Sequence, residues 1–294
     1  MKIRKAIIPI AGLGTRFLPL SKVLPKEFFP LLNKPVIQYI LEEAVASGIE
    51  EVIFVNKPQK KEDLNFLKKY FSEDLELEDF LREKNKTQVL KELENLEILS
   101  KKIKFSQVFQ QEPLGDGNAI LQAEKLVKGE PFVVLFGDDV VDSKEPCLSQ
   151  LIKVYEKYNA PVVALFRLPK EKLSLYGIVR VKEIAPRVYQ IKEIVEKPNP
   201  EDAPSDLAIV GKYVVTPEAF EYLKERPCQM AGETKLVGAL EEMIKDDKMV
   251  LGYEFEGEWL ECGNKVAWLE SNLYLSLKNA ELGPKIKNFI NKIK

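Results

Sequence analysis

The stretch AGLGTRFLP, residues 11–19, follows the apolar run KAIIPI and carries two glycines, a threonine and an arginine. Pro25-Lys26-Glu27 adds a second cation shortly downstream. Successive backbone N–H groups in a tight glycine turn form a concavity that binds anions. An arginine fork matches phosphate geometry, and a lysine serves as a point charge. Ala11, Gly12, Leu13, Gly14 and Thr15 are therefore candidates for a phosphate cradle flanked by Arg16 and Lys26. A dinucleotide fingerprint needs a third glycine where Phe17 stands, and an acid where strand two ends in Val55-Asn56-Lys57. The Gly-Lys-Ser/Thr of a P-loop is missing too. A plain tight turn after a first strand remains the alternative.

Other groups suit a phosphate-handling site. Gly137-Asp138-Asp139 ends an apolar run, where a carboxylate can hold a cation; turn or capping duty is the competing role for such acids. In QQEPLGDGNAI, Gly115 and Gly117 permit close approach to a flat base, or else simply cap the start of a helix. The Gln110 amide can both donate to and accept from a pyrimidine edge. Glu196-Lys197-Pro198 reads unaided as an ordinary turn, although its carboxylate could accept from hydroxyls and its lysine could serve a phosphate as a point charge. Strand neighbours face opposite ways, so Glu196 and Lys197 converge only if the chain bends there. Histidine is absent, which removes Ser-His-Asp and Cys-His catalysis and imidazole metal sites. Any metal must then sit on carboxylate oxygen, which favours magnesium or manganese. Cys147, Cys228 and Cys262 have neither disulfide nor zinc spacing and read as small buried residues of a reducing cytoplasm.

These groups need a scaffold, and the apolar pattern predicts one. KAIIPI, EEVIFV (50–55), KFSQVFQ (104–110) and PFVVLFG (131–137) read as strands. Helical segments follow the first at 36 to about 47, the second at 58–70 and the third at about 118–127. That βαβα rhythm implies a parallel sheet covered on both faces, with ligands beyond the strands' carboxyl ends. Residues 71–100 interrupt it with a charged stretch bearing leucines at 75, 77, 81, 90, 93 and 96. This predicts amphipathic surface helices: a solvated excursion, or else a subunit contact or flap. From residue 160, APVVALFRL, YGIVRV, YQIKEIVEK and LAIVGKYVV predict an antiparallel or mixed extension. Helices are expected again at 217–225, 233–245 and 264–280. The 294 residues carry 44 basic and 46 acidic side chains, net −2. Such a balance does not suit a nucleic-acid or membrane-surface partner, and no apolar run approaches the ~20 residues of a membrane span.

With these motifs in hand, the chain resembles the sugar-1-phosphate nucleotidylyltransferases. AGLGTRFLP, PKEFFPLLNKPVIQYILEEA, LELEDFLREKNKTQVLKEL, EKPNPEDAPSDLAIVGKYV, GETKLVGAL and ECGNK carry the resemblance. It is strongest to the bacterial UTP–glucose-1-phosphate uridylyltransferase branch, of which the charged insertion is typical. The resemblance implies an α/β, Rossmann-like nucleotide-diphospho-sugar transferase fold with a mostly parallel mixed sheet and helices on both faces. It implies a single domain, with a nucleotide half to about residue 140, a sugar-phosphate half beyond it and the helical insertion at 71–100. It also implies Mg²⁺, a cytoplasmic homodimer or homotetramer, and transfer of uridylyl from UTP to glucose 1-phosphate. Arg16, Lys26 and Lys197 would be catalytic. Ala11 to Thr15, Gln110 and Gly115 would bind nucleotide. Gly177, Glu196, Lys197 and Val210 would bind sugar, and Asp138 and Glu261 metal. Three departures stand out: LGDGNA replaces KGLGHA, Glu261 replaces an aspartate, and Thr234-Lys235-Leu236-Val237-Gly238 replaces Ile-Gln-Leu-Thr-Asp. They leave open another hexose 1-phosphate, dTTP, or a weakened sugar-nucleotide-binding regulator. Glutamate reaches ~1.5 Å further than aspartate, so Glu261→Asp is expected to preserve or raise activity. Trp259 reads equally as a sugar-stacking or a core aromatic.

Overall fold

A computed structural model describes residues 2–58, 66–225, 229–230 and 232–293. Eleven strands position the site: β1 (Lys5–Pro9), β2 (Glu51–Asn56), β3 (Lys104–Phe109), β4 (Phe132–Leu135), β5 (Asp139–Asp142), β6 (Val162–Arg167), β7 (Gly177–Ala185), β8 (Val188–Glu196), β9 (Leu207–Val215), β10 (Leu251–Glu254) and β11 (Glu258–Glu261). Nine of them form one sheet in the order β3-β2-β1-β4-β9-β6-β10-β8-β7. Only β8 and β9 run against the other seven. The sheet is therefore mixed and mostly parallel. Its central strands read as unbroken apolar runs because both faces are covered; β4 and all nine residues of β9 are buried.

Helices α1 (Val36–Ala46) and α7 (Cys147–Tyr158) contribute to one core layer. Helices α5 (Asp116–Leu121), α8 (Ala219–Glu225) and α9 (Leu236–Lys245) contribute to the other. Beneath the centre Lys212 is fully buried, its ammonium 2.7 Å from Glu43 Oε2. Helices α10 (Lys265–Lys278) and α11 (Leu282–Ile293) close the chain. The sequence reading stopped at 280. Pro284 sits in the first turn of α11, where a missing N–H breaks no helical bond.

Of the helix expected at 58–70, residues 59–65 lie outside the described residues, and the helix described there is α2 (Phe66–Phe71). Two other expected helices differ. The segment after β3 divides into α5 and α6 (Glu124–Val127). The helix expected from 233 begins only at Leu236, because Thr234 N–H donates to Leu114 O at 2.8 Å and Glu233–Thr234 is a short strand. In the insertion, α3 (Leu75–Glu83) is capped by Asp74, which accepts from Leu77 N–H. Helix α4 (Thr87–Lys102) leads into β3. Leu75, Leu77 and Phe80 are exposed. Cys147 and Cys262 are buried free thiols, and Cys228 lies outside the described residues. Among the described residues no helix is long and apolar enough to cross a membrane.

Candidate active site

The two-stranded sheet of β5 and β11 builds the centre. Its antiparallel register sets Asp139 opposite Glu261, and Cys262 N–H donates to Asp138 O at 2.7 Å. Carboxylates far apart in sequence are thereby brought together beside Gly263. A Cβ on Gly263 would stand 2.8 Å from Asp138 Oδ2 and 3.4 Å from Glu261 Oε1. Lys26, from the turn Lys26–Phe28, reaches Asp138 Oδ2 at 2.5 Å. Burial opposes the Lys26 charge, yet Asp138 and Glu27 outweigh it and raise the ammonium above its usual range. Glu27 is itself buried, and burial pushes its carboxyl up to about 7 against the pull of Lys26.

The adjacent acids divide their roles where the turn at Gly137-Asp138 passes into β5. Asp138 faces Lys26. Asp139 turns inward, accepts from Trp259 Nε1–H at 2.7 Å and lies over Gly211, where a Cβ would be 2.2 Å from its Oδ2. Burial, reinforced by Asp138, raises Asp139 to about 7. Glu261 accepts from the Tyr176 hydroxyl on Oε2 and from Asn264 Nδ2 at 3.0 Å on Oε1. Burial and Glu261 raise the Tyr176 phenol, keeping it a donor. Asn264 also caps α10 by accepting from Ala267 N–H at 3.0 Å. Trp259 meets the Tyr176 ring edge-on at 5.0 Å, so its indole is built into this network.

Hard oxygen donors of this kind fit a magnesium-type cation. Lys26 already holds a positive charge against Asp138, and Glu261 keeps lone pairs beyond its two hydrogen bonds. Among the described residues no group of three or more His, Cys, Asp or Glu forms a closed cage. Water and substrate phosphate would complete the shell, the usual pattern for Mg²⁺.

The glycine turn meets this centre through Arg16, whose Nη1 donates to Gly263 O at 3.4 Å. Gly14 adopts φ +61°. Gly12, Leu13, Gly14, Lys26 and Asn56 line a cleft of about 470 Å³. Ala11 is buried, whereas Gly12, Leu13, Thr15 and Arg16 are exposed. Next to Asn56, whose carbonyl accepts from Gln110 N–H, Gln110 is buried at the end of β3. Its Nε2 donates to Gly115 O at 2.9 Å and Asn118 Oδ1 at 3.0 Å. Among the described residues its Oε1 accepts no hydrogen bond. Gly115 has φ +102°, and a Cβ there would come within 2.3 Å of Thr234 O, so this position requires glycine.

Across the site, Glu196 ends β8 opposite Gly177. Lys197 turns into the left-handed region at φ +49°, the bend that convergence requires, and its Nζ lies 3.7 Å from Glu196 Oε1. The Tyr176–Glu261 bond joins this corner to the carboxylate centre. Val210 is fully buried in the core, and the candidates Ala11 and Gln110 are largely buried. Sequence reasoning missed Lys235, which reaches Glu196 Oε1 at 2.9 Å, and the roles of Asn118 and Asn264. Asn264 had a signal, a polar cap before a helical run. Lys235 and Asn118 act on residues of other elements, and nothing in their local pattern marks them.

The chain has relatives of known kind. The Nucleotidyl transferase family model matches residues 5–276. UTP–glucose-1-phosphate uridylyltransferase 2 of Staphylococcus saprophyticus is 40% identical, covering 100% of this chain and 99% of that protein. UTP–glucose-1-phosphate uridylyltransferase of Bacillus subtilis is also 40% identical, covering 98% and 96%. A crystal structure of UDP-glucose pyrophosphorylase complexed with UDP-glucose superposes with TM-score 0.83 at 35% identity, over 95% of this chain and 100% of that one. UTP-bound UGPase from Acinetobacter baumannii gives 0.87 at 33%, over the whole of both chains. A glycine-turn cleft, a Lys26–Asp138 pair beside Glu261 and a Glu-Lys corner thus lie on a shared fold, and the chain belongs to the nucleotidyl transferase family, in its UTP–glucose-1-phosphate uridylyltransferase branch.

Proposed function

We propose that this chain transfers the uridylyl group of UTP to α-D-glucose 1-phosphate, giving UDP-glucose and pyrophosphate. The observation that carries the reading is the pairing of Lys26 with Asp138 beside Glu261, tied through Tyr176 to the Gly177–Glu196–Lys197 corner. One place thereby offers cations for a triphosphate and a separate acid–lysine pair for a sugar phosphate. An oxygen of the sugar phosphate attacks the α-phosphorus in line, and the bond to the bridging oxygen of the β-phosphate breaks. Pyrophosphate carries away the electron pair, so no protein nucleophile is needed.

Catalysis is then alignment and charge neutralisation. The backbone from Ala11 to Thr15 cradles phosphates, and Arg16 and Lys26 neutralise them. Lys197 holds the sugar phosphate, Glu196 accepts from sugar hydroxyls, and Gly177 contributes its backbone. Alignment of this kind is worth ~7–11 kcal/mol of barrier. A divalent cation, which we take as Mg²⁺, would be held by Asp138 and Glu261 and would supply charge stabilisation at the phosphate oxygens. We read residues to about 140 as the nucleotide half of one domain and the remainder as the sugar-phosphate half, in a cytoplasmic homodimer or homotetramer.

Gln110 Oε1 has no hydrogen-bond partner among the described residues and so presents an acceptor. Uracil and thymine both offer a ring N–H, which makes dTTP the second reading. Pyrophosphate release measured over pairs of nucleoside triphosphates and hexose 1-phosphates tests both. UTP with glucose 1-phosphate should give the highest kcat/KM. Faster turnover of another pair would replace the assignment, and no release with any pair would remove it.

A further inference from the structure

Among the described residues Lys235 is the cation nearest to Glu196. It stands at the start of α9, yet its side chain caps nothing there; Leu236 N–H is instead accepted by Asp116 Oδ1 at 2.7 Å. Its ammonium crosses to Glu196 Oε1 at 2.9 Å, and both side chains are largely shielded, at 21% and 27% exposure. Lys197 addresses the same oxygen from 3.7 Å and is 50% exposed. The shorter, better shielded contact is the stronger. Glu196 is therefore neutralised mainly by Lys235, which leaves the Lys197 ammonium toward solvent. The other carboxylate oxygen, Oε2, lies 3.3 Å from where a Cβ on Gly177 would be, so the acid is turned toward that backbone.

We propose that Lys235 is a positioning residue for the sugar phosphate: it clamps one oxygen of Glu196, orients the other toward the substrate hydroxyls, and frees Lys197 for the phosphate. Its neighbour Thr234 packs its backbone against Gly115, so the segment that holds the acid also walls the turn after Gln110. The proposal rests on the reading of Glu196 as the sugar-binding acid.

Steady-state kinetics of the full chain test it, with Lys235→Ala, Lys235→Arg, Glu196→Gln and the double variant Lys235→Ala/Glu196→Gln. Lys235→Ala should raise KM for glucose 1-phosphate about ten-fold, the size of one lost charge-assisted hydrogen bond. KM for UTP should stay within about two-fold. Lys235→Arg should recover most of the loss, since it keeps the donor and the charge. In the Glu196→Gln background, Lys235→Ala should add little, because contacting residues are non-additive. An unchanged sugar-phosphate KM in Lys235→Ala, an equal rise for both substrates, or full additivity in the double variant overturns the proposal. If Glu196→Gln itself leaves the sugar-phosphate KM untouched, the assignment of Glu196 fails instead, and the two failures are distinguishable.

Discussion

Replacing Glu261 by aspartate is a one-methylene change, and the hydrogen bonds around Glu261 predict an outcome opposite to the expectation drawn from sequence. The longer acid is held at both oxygens, by the Tyr176 hydroxyl and by Asn264 Nδ2 at 3.0 Å. Withdrawing the carboxylate by ~1.5 Å carries that second contact beyond any hydrogen-bond distance. Each hydrogen bond to a charged group is worth ~1.5–3 kcal/mol. Water reaches this half-buried site and restores part of the loss, leaving a stability cost of about 1–3 kcal/mol. The kinetic cost is larger, since ~1 Å of misplacement at a reacting centre costs about 10²-fold. Glu261→Asp should therefore cut kcat/KM by about 10–10²-fold, with the deficit greatest at low divalent concentration. Initial rates of pyrophosphate release across a divalent titration, paired with thermal melts, measure both. Tyr176→Phe, which removes one of the two contacts, should fall between variant and wild type. Wild-type rates for Glu261→Asp at every divalent concentration would refute the reasoning, because the hydrogen bonds would then not set the acid's position.

Asp138→Asn keeps the shape and removes the charge facing Lys26; turnover should fall by at least about 10²-fold and the melting temperature should drop while the fold survives, because the shielded ammonium loses its partner, and near-normal turnover would remove Asp138 from the machinery. Gly115→Ala combines φ +102° with a Cβ 2.3 Å from a backbone oxygen. It should lose about 2–4 kcal/mol in urea unfolding, whereas Gly129→Ala, at φ +71° with nothing within 4 Å, should lose only the dihedral share; equal losses would count against the steric argument. Burial raises Asp116 from 3.8 to about 6. Because the folded pKa exceeds the unfolded one, its stabilising contribution is complete below pH 3.8 and is lost as pH rises through about 6. That amounts to roughly 3 kcal/mol at about 1.4 per pKa unit, and the unfolding free energy of Asp116→Asn should lack this component between those pH values.

The sequence by itself determined the layered α/β scaffold, since buried parallel strands must read as unbroken apolar runs and their covering helices as amphipathic ones. It also marked the glycine turn, the Glu-Lys corner and the acid at the end of β4, because each is a local pattern of residue types. Tertiary structure decided the rest. The register of β5 against β11 alone sets Glu261 beside Asp138, a pairing of distant segments that no local periodicity encodes. The inward turn of Asp139 toward Trp259, the burial of Val210, the delayed start of α9 against Leu114 and the reach of Lys235 to Glu196 have the same origin. Each depends on what another element presents at contact distance, and side-chain reach across a packed interface is a property of the folded chain rather than of any window of its sequence.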